Sequence, residues 1–391
     1  MNNETIKQMG TDYIMSTYLR HDLALVRGKG SYVWDAQGNK YLDLVSGIAV
    51  NNLGHCYPQV VKAIQKQAEL LIHCSNLYWN EPQVRLAKKL SDCSQGKKVF
   101  FCNSGAEANE AAIKLARKWS RGNYGPERYE IITAEDSFHG RTLGALTATG
   151  QTVYQRWFQP LPKGFKYVPF NDLEALEQAI TPQTCALLLE PIQGEGGVYP
   201  ASKAYLIGVQ KICAQHDLLL ILDEVQTGCG RTGKLFAYQH YGVQPDLFTL
   251  AKGLGGGMPI GALIASAKVA DVFKPGDHAS TFGGNPLVTS AALAVLTVLT
   301  SGDFLKEVQA KGEYLKSKFK EMPAVKEVRG LGLLLGLELS VDGQKIQESC
   351  LQKGVLVNCI KRNVLRLVPA LNIEQADLDK AVEIMGKVLH D

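Results

Sequence analysis

Two polar side chains stand at the ends of apolar runs in the middle of the chain. Asp223 directly follows the five aliphatic residues 218–222, and Lys252 follows the mainly apolar run 246–251 and precedes a glycine-rich stretch. A buried carboxylate is costly unless it is paired with a cation, and burial lowers the pKa of a lysine amine. Such an amine can form an imine with a carbonyl and move protons, while the carboxylate can pair with a protonated ring nitrogen. Catalysis with pyridoxal phosphate needs these two groups most.

A phosphate could be held at the start of the helix predicted over residues 106–119. Ser104 and Glu107 form a capping-box pattern, and Gly105 lets the backbone approach a ligand closely. A strand, a glycine turn and a helix start together favour anion binding, because the first N–H groups and the helix dipole face the ligand. By itself, the same pattern is also typical of an ordinary capped helix.

Three other polar loops follow predicted strands or turns. Phe138 could stack on an aromatic ring, and Arg141 could bind a carboxylate through two parallel hydrogen bonds. Glu195, in a glycine-rich loop, is a candidate partner for an arginine, while Ser280 and Thr281 offer adjacent hydroxyls suited to an anion. Each loop taken alone is more typical of a plain surface turn.

The elements around these residues alternate between short apolar strands and helices. Strands are predicted over 98–102, 129–133, 185–190 and 218–222, with helices over 106–119 and 202–216. This alternation predicts an α/β fold with a mostly parallel sheet covered on both faces and a ligand site at the carboxyl ends of its strands. A long helical pattern over 287–320 and a strand entered through glycines over 329–338 predict a smaller α/β domain. We expect an N-terminal segment, 1–45, packed with that domain, a large domain over 46–288 and a small domain over 289–391.

Composition narrows the class of protein. The chain has 391 residues, 46% hydrophobic residues, 20% charged residues and a net charge of +4 without a basic block, so we expect no nucleic-acid partner. No apolar stretch reaches the roughly 18 residues of a membrane span, and residues 1–20 do not resemble a signal peptide. Nine cysteines without a CxxC pair favour reduced thiols in the cytoplasm, and no Cys/His spacing indicates a metal site.

Residues 228–233 fit the dinucleotide pattern GxGxxG, which would make the chain an NAD-dependent oxidoreductase. Asp223 and Glu224, however, stand where a phosphate would be repelled. The overlapping Walker-type pattern fails because Leu235 follows Lys234 where Ser or Thr is needed. A non-catalytic binding module is disfavoured, since it would need neither Lys252 nor a buried Asp223.

Six segments resemble those of the class III, ornithine-type aminotransferases in order and spacing, over nearly the full length: 104–108, 138–141, 190–195, 223–228, 251–252 and 280–286. Segments 41–43, 46–55 and 73–78 are most similar to the subgroup that acts on N2-acetylornithine. The resemblance implies a pyridoxal-phosphate-dependent transferase of fold type I. It also implies a homodimer whose active sites are shared between the subunits.

The resemblance assigns roles around the cofactor. Lys252 would form the linkage to pyridoxal phosphate, Asp223 would hold the pyridine nitrogen and Gln226 the phenolic oxygen. Phe138 would stack on the ring, and Thr281 would reach the phosphate from the partner subunit. The remaining cofactor contacts would come from Gly105, Ala106, Glu224 and Val225.

Substrate contacts are implied in the same way. Arg141 and Ser280 would contact the acylated substrate, with Tyr18 near the pocket. Arg366 would bind the α-carboxylate of glutamate and would pair with Glu195 when the other substrate is bound.

The implied reaction transfers the δ-amine of N2-acetyl-L-ornithine to 2-oxoglutarate, giving N-acetyl-L-glutamate 5-semialdehyde and glutamate in arginine biosynthesis. Succinyldiaminopimelate, ornithine and 4-aminobutyrate stay open as amino donors. Ala106 departs from the threonine that acetylornithine enzymes often carry, and alanine also occurs here in 4-aminobutyrate enzymes. Glutamate-semialdehyde aminomutase is disfavoured, because it does not need the two carboxylate-binding arginines Arg141 and Arg366.

Overall fold

The computed structural model describes residues 1–94 and 98–390. The chain begins with elements that lie outside the central sheet: α1 (Asn3–Tyr13), β1 (Leu25–Lys29), β2 (Tyr32–Asp35), β3 (Lys40–Asp43) and a four-residue turn, α2 (Ser46–Ala49). The α2 turn is left-handed, since φ is +65° at Gly47 and +63° at Ile48.

The central part of the chain alternates helices and strands. Its helices are α3 (Pro58–Leu70), α4 (Glu81–Cys93), α5 (Gly105–Tyr124), α6 (Leu143–Ala148), α7 (Thr152–Gln155), α8 (Leu173–Ala179), α9 (Lys203–Gln215) and α10 (Ala267–Ala270). Its strands are β4 (Lys98–Cys102), β5 (Glu130–Ala134), β6 (Phe165–Val168), β7 (Thr184–Leu189), β8 (Ile192–Gln193), β9 (Tyr199–Pro200), β10 (Leu219–Asp223), β11 (Leu247–Leu250) and β12 (Gly261–Ala265). The predicted strands and helices of this region are therefore confirmed, with ends that differ by at most five residues.

Seven of these strands form one sheet in the order β4-β12-β11-β10-β7-β5-β6. The pairs β10–β11, β10–β7, β7–β5 and β5–β6 are parallel, and only β12 runs antiparallel to its neighbours β11 and β4. Every residue of β7, β10, β11 and β12 is buried, because helices cover both faces of the sheet. The predicted mostly parallel sheet is confirmed, and its carboxyl ends lie along one edge.

The C-terminal part contains α11 (Pro286–Leu299), α12 (Phe304–Lys320), β13 (Val325–Leu331), β14 (Leu334–Leu339), α13 (Gly343–Gln352), β15 (Val355–Leu356), β16 (Asn358–Ile360), β17 (Val364–Leu367) and α14 (Gln375–His390). Strands β13, β14, β17 and β16 form a second, antiparallel sheet in that order.

Two details of the sequence prediction here are wrong. The helical pattern 287–320 is two helices, because the chain turns between them at Gly302 with φ of +49°. The predicted single strand over 329–338 is a hairpin, since Gly332 adopts φ of +53° and reverses the chain between β13 and β14.

The N-terminal segment joins the C-terminal part through a shared sheet. Strand β15 pairs in parallel with β3, Val355 opposite Leu42, and β3 continues through β2 to β1. The packing of the whole segment 1–45 with a small domain stays a prediction. The boundaries at 45 and 288 stay predictions, and Asp391 lies outside the described residues.

Among the described residues, no single helix is both long and apolar enough to cross a membrane. Helices α11 and α12 reach that length and composition only as a pair, and they are bent by 73° relative to each other.

Candidate active site

A cavity of about 430 Å³ opens at the carboxyl edge of the central sheet. Residues that follow β4, β5, β7, β10 and β11 line it, so five separate strands contribute to one site. Predicted site residues among the lining are Gly105, Ala106, Phe138, Arg141, Glu195, Asp223, Val225, Gln226 and Lys252.

Asp223 ends β10 and is 3% exposed. Its Oδ2 accepts a hydrogen bond from Asn109 Nδ2 at 2.7 Å and lies 2.8 Å from His139 Nδ1. Its Oδ1 accepts from the Val225 N–H at 3.0 Å and from Thr249 Oγ1 at 3.4 Å. These contacts hold the carboxylate in one orientation at the wall of the cavity.

Lys252 follows β11 and has φ of +41°, a left-handed conformation that is unfavourable for a residue with a side chain. Burial lowers the pKa of its amine, while the nearby carboxylates of Glu195, Asp223 and Glu190 oppose that shift. The amine therefore shares the cavity with three acids, and a neutral form is more accessible to it than to a solvated lysine.

Helix α5 begins at the cavity. Ser104 Oγ accepts from the Glu107 N–H at 3.2 Å, which confirms Ser104 as the N-cap. The return bond of a capping box is displaced by one residue, because Glu107 Oε2 accepts from the Asn103 N–H at 2.5 Å and not from the Ser104 N–H. A Cβ at position 105 would come within 2.7 Å of Val225 Cγ1, so only glycine lets the helix start lie against the loop after β10. The first N–H groups of the helix, which have no acceptor within it, line the cavity with Gly105 and Ala106.

The loop after β5 presents Phe138 and Arg141. The Phe138 N–H donates to Glu190 Oε2 at 3.0 Å, and Glu190 Oε1 accepts from the Gly194 N–H at 3.2 Å. Burial, together with the neighbouring Asp223 carboxylate, raises the pKa of Glu190 well above its ordinary value. Glu190 therefore links the aromatic loop to the loop that carries Glu195.

Arg366, on β17, reaches the same place from the C-terminal sheet. It is 1% exposed, and its Nη1 donates to Glu195 Oε1 at 2.5 Å and to Gln226 Oε1 at 3.1 Å, while Nη2 donates to Asn358 Oδ1 at 2.7 Å. Burial by itself would raise the pKa of Glu195, but the charges of Arg366 and Lys252, together with the hydrogen bonds from Arg366 and Gln226, outweigh it, and the pKa lies below its ordinary value. The predicted pairing of Glu195 with Arg366 is present.

Five predicted site residues are not part of the cavity lining: Arg366 contacts the lining residues Glu195 and Gln226, and the other four lie elsewhere. Thr281 lines a different surface depression, next to residues 75–77, and Ser280 Oγ accepts from Asn103 Nδ2 at 3.1 Å. Tyr18 is 72% exposed. The Glu224 side chain points away from the cavity and accepts from the N–H groups of Ala237 and Tyr238 and from Thr227 Oγ1, each at 2.8 Å.

Sequence reasoning assigned no role to Asn109, His139, Thr249 or Glu190. Asn109 spans the site: its Nδ2 also donates to the His139 carbonyl at 2.7 Å, and its Oδ1 accepts from Thr249 Oγ1 at 2.8 Å. One signal was available for Asn109, a polar residue on the apolar face of α5, where it is 1% exposed.

The dinucleotide-like segment 228–233 forms turns and opens no helix. Arg231 is fully buried, and its Nη1 donates to the carbonyls of Leu333 and Pro369 at 3.0 and 2.6 Å. The segment is thus covered by the C-terminal part, which leaves no room there for a nucleotide. Within the described residues, no group of three or more His, Cys, Asp and Glu side chains could hold a metal ion.

Comparison with known proteins places this arrangement in a family. The model of the family described as aminotransferase class-III matches residues 14–389. Acetylornithine aminotransferase of Caldanaerobacter subterraneus subsp. tengcongensis is 58% identical over 97% of this chain and 98% of its own. A succinylornithine transaminase/acetylornithine aminotransferase of Pseudomonas aeruginosa is 46% identical over 95% of this chain and 93% of its own. The crystal structure of ornithine aminotransferase from Toxoplasma gondii superposes with a TM-score of 0.96, at 33% identity, over 100% of this chain and 95% of that one.

The fold and the cavity thus define a pyridoxal-phosphate-dependent enzyme of fold type I. The chain belongs to the class III aminotransferases. The residues present fit the cofactor of that class, since a buried amine, an oriented carboxylate and a helix start with room for an anion line one cavity.

The resemblance implies that Glu224 contacts the cofactor, whereas in the structure its side chain supports the turn over 237–240. The variant Glu224→Gln distinguishes these two roles. The amide keeps one acceptor oxygen, but its NH2 group then faces a backbone N–H, and neither of these two donors has an acceptor. We therefore expect the free energy of unfolding to fall by about 1–3 kcal/mol. We expect the dissociation constant for pyridoxal phosphate to stay unchanged, because the side chain points away from the cavity. Chemical denaturation and cofactor titration measure the two effects, and a weakened cofactor with unchanged stability would contradict the assignment.

The same variant has a pH signature. Burial raises the pKa of Glu224 to about 7 from 4.5, so the folded protein holds this proton more tightly than the unfolded chain does. The wild type therefore loses free energy of unfolding, relative to Glu224→Gln, as the pH rises from 4.5 to about 7.

Proposed function

We propose that the protein transfers the δ-amino group of N2-acetyl-L-ornithine to 2-oxoglutarate, as a step of arginine biosynthesis. The observation that carries the choice of substrate is the 58% identity, over nearly the whole chain, to an acetylornithine aminotransferase. The geometry supports the chemistry, because one cavity holds a buried amine, an oriented carboxylate and an arginine, with a second arginine paired to an acid of its wall.

Lys252 is the group that binds the cofactor and moves protons in this proposal. When bound, pyridoxal phosphate supplies an electron sink that stabilises the charge left on the substrate carbon after it loses a proton. The buried amine of Lys252, with its lowered pKa, is suited to take up that proton and return it at another atom. Its position at the end of β11 places it at the same sheet edge as Asp223.

Asp223 keeps the ring nitrogen protonated. Its Oδ2 is held by Asn109 and His139, and Oδ1 by the Val225 N–H, so the carboxylate needs little rearrangement to meet an N–H⁺. Phe138, Gln226, Gly105, Ala106 and Val225 line the cavity. When the cofactor is bound, Phe138 would lie against one face of the ring and Gln226 would contact the phenolic oxygen. The backbone at Gly105 and Ala106 would bind the phosphate, with Val225 beside it.

Two arginines divide the carboxylates of the two substrates. Arg141 and Ser280 bind the acylated donor, which brings a single carboxylate. Tyr18, which is 72% exposed here, would have to approach that end of the pocket to contact the donor. Glu195 pairs with Arg366 in this structure, and in the proposal that pair persists while the donor is bound. When the dicarboxylate 2-oxoglutarate enters, its α-carboxylate replaces Glu195 on Arg366.

Thr281 serves the active site of a partner subunit in a homodimer. It lies off the cavity of its own chain, and the surface depression that it lines includes Asn76, whose Nδ2 donates to the carbonyls of Ser280 and Gly283 at 3.1 and 2.9 Å. Large apolar side chains are exposed around it, with Leu77 at 84%, Trp79 at 92% and Phe282 at 61%. Such an apolar surface is typical of a subunit interface.

The proposed location is the cytoplasm. All nine cysteines are unpaired, and five of them are buried, as in a protein kept in a reducing compartment.

The substrate assignment is tested by a panel of amino donors with 2-oxoglutarate. We expect kcat/KM for acetylornithine to exceed those for ornithine and 4-aminobutyrate by at least about tenfold, because a matched pocket rejects donors that lack the acyl group. Succinyldiaminopimelate is the informative competitor: a higher kcat/KM with it would overturn the acetylated substrate while leaving the class of reaction intact.

Lys252→Ala tests the chemistry. We expect kcat to fall by at least about a thousandfold, because both cofactor attachment and proton transfer lose their amine. The visible absorption that depends on the cofactor's linkage to the lysine should disappear as well. Lys234→Ala, at an exposed lysine, is the matched control and should keep both.

Subunit mixing tests the placement of Thr281. Thr281→Val alone should weaken activity at limiting cofactor by about tenfold, since a charged phosphate loses one hydrogen bond. In a heterodimer of Lys252→Ala and Thr281→Val chains, one site regains both intact residues if Thr281 acts across the interface. Activity above the sum of the two parents is therefore expected, and its absence after subunit exchange would contradict the shared site.

A further inference from the structure

Tyr154 lies beside the cavity and contacts both functional side chains of the loop after β5. The Arg141 guanidinium carbon is 3.9 Å from the centroid of the Tyr154 ring, closer than its 5.4 Å from the Phe138 ring. The Tyr154 and Phe138 rings meet edge to face, at 6.1 Å and 87°. Tyr154 is half-buried, whereas Arg141 is exposed. The arginine thus lies against an aromatic platform at the mouth of the cavity.

The platform is anchored from both ends of α7. Gln151 Nε2 donates to the Ser137 carbonyl at 3.0 Å, just before Phe138. Gln155, which is buried, donates through Nε2 to the Thr149 carbonyl at 2.8 Å and to the Leu146 carbonyl at 3.2 Å, at the end of α6. A helix of only four residues has little stability of its own, so these side chains determine where Tyr154 lies.

Arg141 and Arg366 are held in different ways. Nη1 of Arg366 donates to Glu195 and Gln226, and Nη2 donates to Asn358. In the described part of the chain, Arg141 makes no ion pair, and its recorded contacts are the two rings. An acid would orient the guanidinium but would compete with a carboxylate ligand, as Glu195 does on Arg366. An aromatic face orients the guanidinium plane and leaves its N–H donors free.

We propose that Tyr154 is a positioning residue for Arg141: its ring holds the guanidinium in place for the carboxylate of the amino donor. This inference rests on the proposed function in one respect, the binding of the donor carboxylate by Arg141. Tyr154 touches neither donor nor cofactor in this role, and its contribution appears as discrimination in favour of donors that carry a carboxylate.

Tyr154→Leu tests the inference with two donors that differ only in the carboxylate, N2-acetylornithine and N-acetyl-1,4-diaminobutane. We expect kcat/KM for acetylornithine to fall by about three- to tenfold, mainly through KM, because an exposed or half-buried cation–π contact has this size. For the donor without a carboxylate, kcat/KM should not change. Tyr154→Phe retains the ring and should keep the wild-type ratio of the two values.

The outcomes separate the possibilities. Equal losses with both donors would overturn the inference, since a general distortion of the cavity does not depend on the carboxylate. An unchanged ratio in Tyr154→Leu, or a loss in Tyr154→Phe as large as in Tyr154→Leu, would overturn it too. If the leucine variant does not fold, Tyr154→Met provides the same comparison. If the wild type does not use acetylornithine, the proposed substrate fails by itself, and 4-aminobutyrate with propylamine forms the matched pair.

Discussion

The burial of the Asp223 carboxylate is the constraint around which the site is built. A carboxylate at the end of a fully buried strand has lost its water and must be compensated by donors from the protein. Asn109 from α5, His139 from the loop after β5, Thr249 from β11 and the Val225 N–H supply that compensation. Each donor belongs to a different segment, so orienting one carboxylate also fixes the spacing of α5, β5, β10 and β11 at the sheet edge.

That spacing is what the chemistry uses. The helix start with Gly105 lies against Val225, the aromatic loop lies between Asn109 and Glu190, and Lys252 follows the strand next to Asp223. A cofactor that bridges amine, carboxylate and helix start would touch elements already held in place by the same hydrogen bonds. The C-terminal sheet completes the wall by bringing Arg366 to Glu195.

Under the proposed function, the two arginines let one cavity treat two substrates differently. Arg366 is buried and paired with an acid that a second carboxylate would displace, whereas Arg141 lies against Tyr154 with its donors free. The two environments differ in charge as well as in shape. Binding of a dicarboxylate and of a monocarboxylate can therefore be tuned separately within one site.

Sequence reasoning predicted much of the fold and of the site's inventory from local patterns. The buried strands, the N-cap at Ser104 and the break of the dinucleotide pattern all depend on neighbouring residues. The errors arose where glycines reverse the chain: Gly302 divides one helical pattern into two helices, and Gly332 makes a hairpin of a predicted strand. The pattern of apolar residues continues unchanged across such a turn, so periodicity alone does not reveal where the chain reverses.

By itself, then, the sequence determined which residue types stand at the ends of buried strands, and hence an amine, a carboxylate and an anion site at one sheet edge. The resemblance of six segments added roles to those residues. Only the tertiary structure decided which side chains support them: Asn109 on Asp223, Glu190 between two loops, Glu224 turned away from the cavity and Tyr154 beneath Arg141. These partners lie far apart along the chain or on short elements without a periodic pattern, and their contacts exist only after the sheet has brought the strand ends together.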